Sequence, residues 1–442
     1  MAVYLSGKEN SMPLTICSYE QYKQKQQFVS LRGYREERKQ VIEIVEEVRQ
    51  NQDAALIKFA REFDSVELAQ LAVSLEEINE AYRLVGSELV ELIQEAKNNI
   101  ERFHHHQKEQ GWWDSGPGWI LGQRYQPLQS VGAYIPGGTA AYPSSVLMTV
   151  VPARVAGVEN IYICTPPDNE GKVNPLTLVA AREAGAAAVF KSGGAQAVAA
   201  MTYGTETIPP VQKIVGPGNI YVTLAKKEVY GEVGIDMLAG PSEIVIVASD
   251  GAEPSYIAAD LLSQAEHDPL SRSILITTSE KAGRLVIREL EEQLKSLPRK
   301  KVAEKSLKQQ GAVISVPSIT EAWKVVNELA PEHLELHLED AWQYLDFIES
   351  AGAVFIGPYS PEALGDYFAG SNHVLPTGTA ARFASALGVY DFIKRSNVLY
   401  YTAEALQSVA PQIVQLARSE GLEAHARSVL LRGENDEPPD EN

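Results

Sequence analysis

The sequence predicts an α/β fold built on parallel, doubly wound sheets, and three observations carry that expectation. From Val131 onward, short apolar runs alternate with segments of helical periodicity: VGAYIP, NIYIC, AAVFKS, QKIVG and GIDM come first, spaced as βα units. A second alternating set follows at Ile244 to Ala248, Ser273 to Thr278, Ala312 to Val316 and Ala353 to Ile356, so two sheets and two α/β domains are expected. Glycines stand where strands should turn into helices, at Gly137-Gly138, Gly193-Gly194 and Gly216-x-Gly218. Backbone amides at such a helix start carry partial positive charge and suit a phosphate. GPGNIY lacks the third glycine of the dinucleotide fingerprint, so the same glycines are also accounted for as tight βα turns.

Taken in order, residues 1 to about 30 read as an irregular arm. Arg35 to Phe103 then repeat helical spacing, as at Val41, Ile44, Val45 and Val48, with charged residues between. His104, His105 and His106 follow, but adjacent helical residues point about 100° apart and cannot face one ion, so they read as a helix end. Ile244 to Ala248 is a β-branched run of the kind found in buried parallel strands. Pro254 suits the first turn of the next helix, which carries Ile257, Leu261, Leu262 and Ala265 and should stop at Asp268-Pro269. Gln264 and His267, three apart, would share one helical face and could converge on a cation.

A long amphipathic helix is expected over Lys281 to Leu297. In LAPEHLELHL, Glu332 and His333 follow Pro331 at the start of a strand; strand neighbours face opposite ways, so a turn is where both could reach one cleft. GPYSPEALGDYFAGSNHVLPTGTAARF is a long segment rich in glycine and small residues that carries Asp366 and His373, and such loops are usually functional. From Ser385 the chain reads as a small α/β tail ending in LARSEGLEAHARSVLLR, which holds Glu420 and His425, and the last ten residues, GENDEPPDEN, are expected to be disordered.

The chain has 442 residues, 58 acidic against 39 basic, a formal charge of -19, and 45% apolar residues. That balance supports a large core and argues against nucleic-acid or anionic-membrane partners. Only Cys17 and Cys164 are present, which fits neither a disulfide framework nor a cysteine zinc site and suits a reducing cytoplasm. The N-terminal stretch is polar, and the apolar run near Val146 to Val158 is interrupted by Arg154, so neither an export signal nor a membrane span is expected.

VGAYIPGG, SGGAQAV, VGPGNIYV, AGPSE, QAEHDP, APEHLE, GDYFAGSNHVLPT and EGLEAHA occur together in an order that resembles the histidinol dehydrogenase family, over about residues 30 to 430. The resemblance implies two doubly wound, incomplete Rossmann-like domains with an N-terminal helical arm and a small C-terminal tail domain. Residues 1–130 would pack with 239–384 as one domain. Residues 131–238 would form the other, NAD-binding, domain. Residues 385–432 would be a tail exchanged in a homodimer, followed by a disordered acidic end at 433–442. It also implies zinc ligands Gln264, His267, Asp366 and His425, an acid/base pair of Glu332 and His333, substrate contacts from Ser242, His373 and Glu420 beside the ligands, and NAD contacts from Tyr134, Gln196 and Asn219.

The implied activity is zinc-dependent, four-electron oxidation of L-histidinol to L-histidine with two NAD. Related enzymes acting on other polar alcohols share this fold, and two further readings stand beside it. A zinc hydrolase would use Glu332 to activate water, against which the three nucleotide-contact motifs argue, and a non-catalytic zinc module would leave the acid/base pair without a role.

Overall fold

The computed structural model describes residues 14–25, 33–137 and 141–433. These fall into two units: a larger one reaching Gln107 and resuming over Leu128–Phe392, and a smaller one of Lys108–Pro127 with the chain from Ile393. The larger unit opens with β1 (Ile16–Cys17), α1 (Tyr19–Lys25), α2 (Arg35–Phe63, kinked at Gln52), α3 (Leu75–Val85) and α4 (Ser87–His105). After β2 (Trp112–Gly116) and β3 (Trp119–Pro127) of the smaller unit, a first βα series runs through β4 (Ser130–Tyr134), α5 (Pro143–Ala156), β5 (Asn160–Thr165), α6 (Pro175–Ala184), β6 (Ala188–Lys191), α7 (Gly194–Tyr203), β7 (Lys213–Val215), α8 (Ile220–Val229) and β8 (Gly234–Ile235). A second series comprises β9 (Glu243–Ala248), α9 (Pro254–Ala265), β10 (Arg272–Thr277), α10 (Glu280–Gln293), α11 (Lys300–Gln310), β11 (Ala312–Ser315), α12 (Ile319–Leu329), β12 (His333–His337), β13 (Ala353–Ile356) and α13 (Glu362–Tyr367). The smaller unit closes the chain with β14 (Ile393–Tyr401), α14 (Ala403–Ser419) and α15 (Glu423–Leu430).

Each βα series makes its own parallel sheet, as the alternation of runs predicts. One sheet is ordered β6-β5-β4-β7-β8 and the other β1-β11-β10-β9-β12-β13. Counted within its series, each has strand order 3-2-1-4-5, with β1 added at one edge of the larger sheet. Both match a doubly wound sheet short of its sixth strand. The strands are buried on both faces, so their residues divide by parity: Ile244, Ile246 and Ala248 enter one apolar layer, while Val245 and Val247 enter the other.

The structure revises the expected packing of residues 1–130 with 239–384. Among the described residues before 131, only the short segment at Leu14, β1 and α1 joins the larger sheet, through Leu14 and Tyr22. The helices cover the five-stranded sheet instead. Val41, Val48, Leu56 and Phe59 of α2 pack with Ala199 and Leu224, and Ala81, Ile93 and Ile100 of α3 and α4 pack with Val146 and Leu178. Helical periodicity marks an apolar stripe without naming the sheet that covers it. The described part of the arm is likewise a strand and a helix, since β1 borrows its hydrogen bonds from β11, a long-range pairing invisible locally. The tail begins at Ile393 rather than Ser385, because Val389 and Phe392 are buried in the larger unit's core. It also recruits β2 and β3 into an antiparallel sheet, β14-β3-β2. The acidic end from Glu434 lies outside the described residues.

Among the described residues no helix is long and apolar enough to cross a membrane. The run at Val146 to Val158 falls mainly on α5, whose interior is buried. His104 is also buried, its Nδ1 2.8 Å from the Ile100 carbonyl, while His105 and His106 are exposed.

One glycine turn is held from below. Gly216 has φ +107° and a Cβ there would run into the Tyr134 carbonyl oxygen. Its amide donates to Asp236 Oδ2 at 2.7 Å, its carbonyl accepts from Lys226 Nζ at 3.0 Å, and Lys226 and Asp236 form a buried ion pair. Gly216→Ala therefore meets both the wrong backbone region and a steric wall. We expect it to destabilise the chain by ~2 kcal/mol or more, read as a drop in thermal midpoint; an unchanged midpoint would contradict this account of the turn.

Candidate active site

Two places in the larger unit gather the residues singled out by the sequence. The first is a cavity of about 1310 Å3 lined by Tyr134, Gly137, Gly193, Gly194, Gln196 and Asn219 among others. It lies past the C-terminal ends of β4, β6 and β7, beside the point where the strand order reverses between β4 and β7, the usual ligand crevice of such sheets. The Tyr134 hydroxyl accepts the Gly194 amide at 3.2 Å. Asn219 caps α8, its Oδ1 accepting from the amides of Tyr221 and Val222 at 3.0 and 3.2 Å, while Gly193 caps α7. Glycine backbone and helix N-termini together suit a pyrophosphate. Glu43, Lys58, Phe59 and Asp64, from α2 and its C-cap, line the same cavity. They went unnoticed in the sequence because α2 had been given to the other sheet.

The second place is the N-terminal edge of β9 and β12 in the larger sheet. Ala330 turns the chain with φ 45°, and Glu332 and His333 follow as β12 begins. Glu332 folds back to accept the Glu243 amide at 2.8 Å. His333 Nδ1 lies 3.0 Å from the Glu243 carbonyl, which only accepts, so Nδ1 carries the proton and Nε2 is the basic nitrogen. With Nδ1 protonated, the Gln264 Nε2 at 3.2 Å from it contributes packing. His333 Nε2 is buried without a hydrogen-bond partner and points at Asp366 Oδ1, 3.7 Å away, and at Glu362 Oε1, 4.0 Å away.

The electrostatics follow from burial. Burial pushes the Glu332 carboxyl up to about 8, with His333 opposing. It also works against a charged His333, but Glu362, Glu332 and Asp366 together hold that imidazole well above its ordinary range. Burial would raise Asp366, yet His333 beside it and His373 keep it below the usual carboxylate range. His373 places Nδ1 3.1 Å from the Asp366 carbonyl and Nε2 3.5 Å from Ser145 Oγ on α5; burial lowers its pKa.

Of the sequence-derived set, Gln264, Asp366, Glu332, His333 and His373 thus converge. Helix α9 ends at Ala265, short of the expected Asp268, so His267 sits in the following turn, where its amide reaches the Gln264 carbonyl at 3.2 Å; its imidazole is in the field of Asp366 and His333. Ser242 is half-buried just before β9. Glu420 and His425 belong to the smaller unit, both exposed, at the end of α14 and on α15. Sequence reasoning missed Glu362, which with His333 and Asp366 could hold a metal ion, and the neighbouring trio of Asp260, Glu335 and His337. Their only local trace is spacing, which does not say what will face them: HLELH alternates polar residues at the strand period, and Glu362 precedes Asp366 by one helical turn.

A metal ion fits this place. Gln264 Oε1 and Glu362 Oε2 are buried acceptors with no partner, beside the carboxylate of Asp366, and an amide oxygen and carboxylates are donors that divalent transition ions accept.

A nucleotide-type cavity at one sheet and an acid/base pair with metal-capable donors at the edge of the other define an NAD-dependent oxidoreductase. The model of the family described as histidinol dehydrogenase matches residues 31–433, and the chain belongs to that family. It is 53% identical over 393 residues to histidinol dehydrogenase of Bacillus thuringiensis subsp. konkukian, covering 89% of this chain and 91% of that protein. It is 52% identical over 397 residues to the Moorella thermoacetica enzyme, covering 89% and 94%. A crystal structure of histidinol dehydrogenase from Elizabethkingia anophelis superposes with a TM-score of 0.89 at 39% identity, covering 96% of this chain and 99% of that one. Family membership implies a dinucleotide cofactor and a metal.

Proposed function

We propose that this chain oxidises L-histidinol to L-histidine through L-histidinal, using two NAD and a zinc ion, as the last steps of histidine biosynthesis in the cytoplasm. The observation that carries the reading is His333. Its Nδ1 is tied to a backbone carbonyl, its basic Nε2 is free, and carboxylates surround it, which is the arrangement a base needs to take a hydroxyl proton. Zinc would supply a Lewis acid that holds the substrate's imidazole and amine, and NAD would supply the hydride acceptor.

The residues of the chain do the rest. His333 Nε2 removes the alcohol proton, and Glu362, Glu332 and Asp366 stabilise the imidazolium that results. Glu332, buried beside it with a raised pKa, is poised near neutrality to take a proton from the water that attacks the aldehyde. Gln264, His267 and Asp366 would hold the ion with His425, and Ser242, His373 and Glu420 would orient the substrate. Tyr134, Gln196 and Asn219 would contact NAD in the cavity. Adding histidinol and NAD to the purified chain and following NADH absorbance tests the activity, and no absorbance change would end the reading.

The metal assignment is tested separately by metal content. Chelation should abolish turnover, and Asp366→Asn and His267→Asn should each lower bound zinc; full zinc occupancy in both variants would refute those ligands.

The two oxidations should also come apart by substitution. Glu332→Gln should slow the aldehyde step by a factor of about 10² to 10⁴ and the alcohol step much less. Comparing histidinol with histidinal as substrates checks this, and equal losses on both would argue against divided roles.

We further propose a homodimer in which the tail of one chain completes the active site of the other. In support, among its described residues the smaller unit's buried cluster is Val414, Ala417 and Ala426, with Val429 packed against it, while Leu399, Leu416, Trp113 and Tyr400 are more than half exposed; so little core calls for burial against something else. Co-refolding inactive Asp366→Asn and His425→Asn chains should regenerate roughly a quarter of wild-type activity, because half the dimers are hybrids and one of their two sites is intact. Recovery of none would mean that each chain completes its own site.

A further inference from the structure

Strand β12 carries three ionisable side chains on one face. Parity puts Leu334 and Leu336 in an apolar layer and turns His333, Glu335 and His337 to the opposite side, level with Ile244 and Ile246 of β9. Helices α9 and α13 meet this stripe. Asp260 and Gln264 lie four residues apart on α9, and Glu362 and Asp366 lie four apart on α13. Four helical residues rise ~6 Å and two strand residues ~6.6 Å, so each helix can match the strand at two successive levels. The upper level holds His333, Gln264 and Asp366; the lower holds Glu335, His337 and Asp260, with Glu362 between.

At the lower level the Glu335 side chain is only 1% exposed and both its oxygens are engaged. Oε1 accepts the backbone amide of Glu362 at 2.8 Å, the first residue of α13. Oε2 lies 3.2 Å from His337 Nε2. Asp260 Oδ2 stands 3.7 Å from the same imidazole nitrogen. Both Glu335 oxygens are committed to protein donors, so Glu335 acts as a bracket between β12 and α13.

We infer that Glu335 is a positioning residue: through its carboxylate it ties the start of α13 to β12, and so sets where Glu362 and Asp366 stand relative to His333. Pro361 at the α13 N-cap makes no side-chain cap, and a six-residue helix has little cooperativity of its own, so this outside acceptor is a principal restraint on its first turn. The mechanistic weight given to Asp366 rests on the function proposed above; the tethering of α13 does not.

The experiment compares Glu335→Leu with Glu335→Gln in the full-length protein. Leucine fills the space but leaves the Glu362 amide without an acceptor. Glutamine keeps Oε1, and its amide nitrogen can donate to His337 Nε2, since His337 Nδ1 has no partner and can take the ring proton. Hydrogen exchange of the peptide spanning Glu362–Tyr367 should show lost protection in Glu335→Leu and protection close to wild type in Glu335→Gln, with the other strands unchanged in both. Zinc affinity should fall about 10- to 100-fold in Glu335→Leu and largely recover in Glu335→Gln. Unaltered exchange in Glu335→Leu, or equal damage from both variants, would overturn the inference. A wild-type protein inactive on histidinol whose α13 still loosens in Glu335→Leu would uphold the tether while removing the proposed function.

Discussion

The constraint on which this structure depends is the burial of ionisable groups along one face of β12. A charge placed in a dry layer costs several kcal/mol unless paired and hydrogen-bonded. A sheet face that carries His333, Glu335 and His337 therefore dictates what may cover it. Asp260 and Gln264 from α9, and Glu362 and Asp366 from α13, meet that demand because a helical turn and a strand dipeptide have nearly equal lengths. At the lower level both Glu335 oxygens are engaged and only His337 Nδ1 lacks a partner, whereas at the upper level His333 Nε2, Gln264 Oε1 and Glu362 Oε2 all do. Unfilled valence of that sort is tolerated where a ligand is to supply it.

The two parallel sheets have the same strand order and are put to different uses. The five-stranded sheet offers its C-terminal edge, where glycine turns and the caps of α7 and α8 line a large cavity. The other sheet offers its N-terminal edge, because α9 runs back against β9 and delivers Gln264 where β9 and β12 begin. His373, reaching from beyond α13 to Ser145 on α5, ties that edge to a helix of the first sheet. The fold thus keeps the glycine-lined cavity and the cluster of buried acid/base groups on separate sheets, each fixed by its own buried strands.

The ionic support of the five-stranded sheet repeats the same physics on a smaller scale. Lys226 and Asp236 are buried and neutralise one another; Lys226 also donates to the Gly216 carbonyl, and Asp236 accepts from the Gly216 and Met237 amides. A buried pair of this sort adds little net stability beyond an apolar substitute. What it contributes is a defined path for the chain between β7 and Asn219.

The sequence by itself determined the two βα series and the buried strands. Ile244 to Ala248 reads as β9 because a doubly covered strand must be apolar at every position, and the order of motifs from VGAYIPGG to EGLEAHA was enough to place the family. Tertiary structure alone decided what depends on a partner distant in the chain. Helices α2 to α4 carry a clear apolar stripe, but nothing in a stripe says which sheet will cover it. Strand β1 exists because β11 lends it hydrogen bonds, and residues 112–127 join the tail because β14 pairs with β3. Glu332, His333 and Asp366 were singled out through the family resemblance and converge in the structure, whereas Glu335, Glu362, His337 and Asp260 carried no such mark. Their roles arise from facing one another across a strand and two helices, and a carboxylate in a sequence carries no mark of whether water or another buried group will balance its charge.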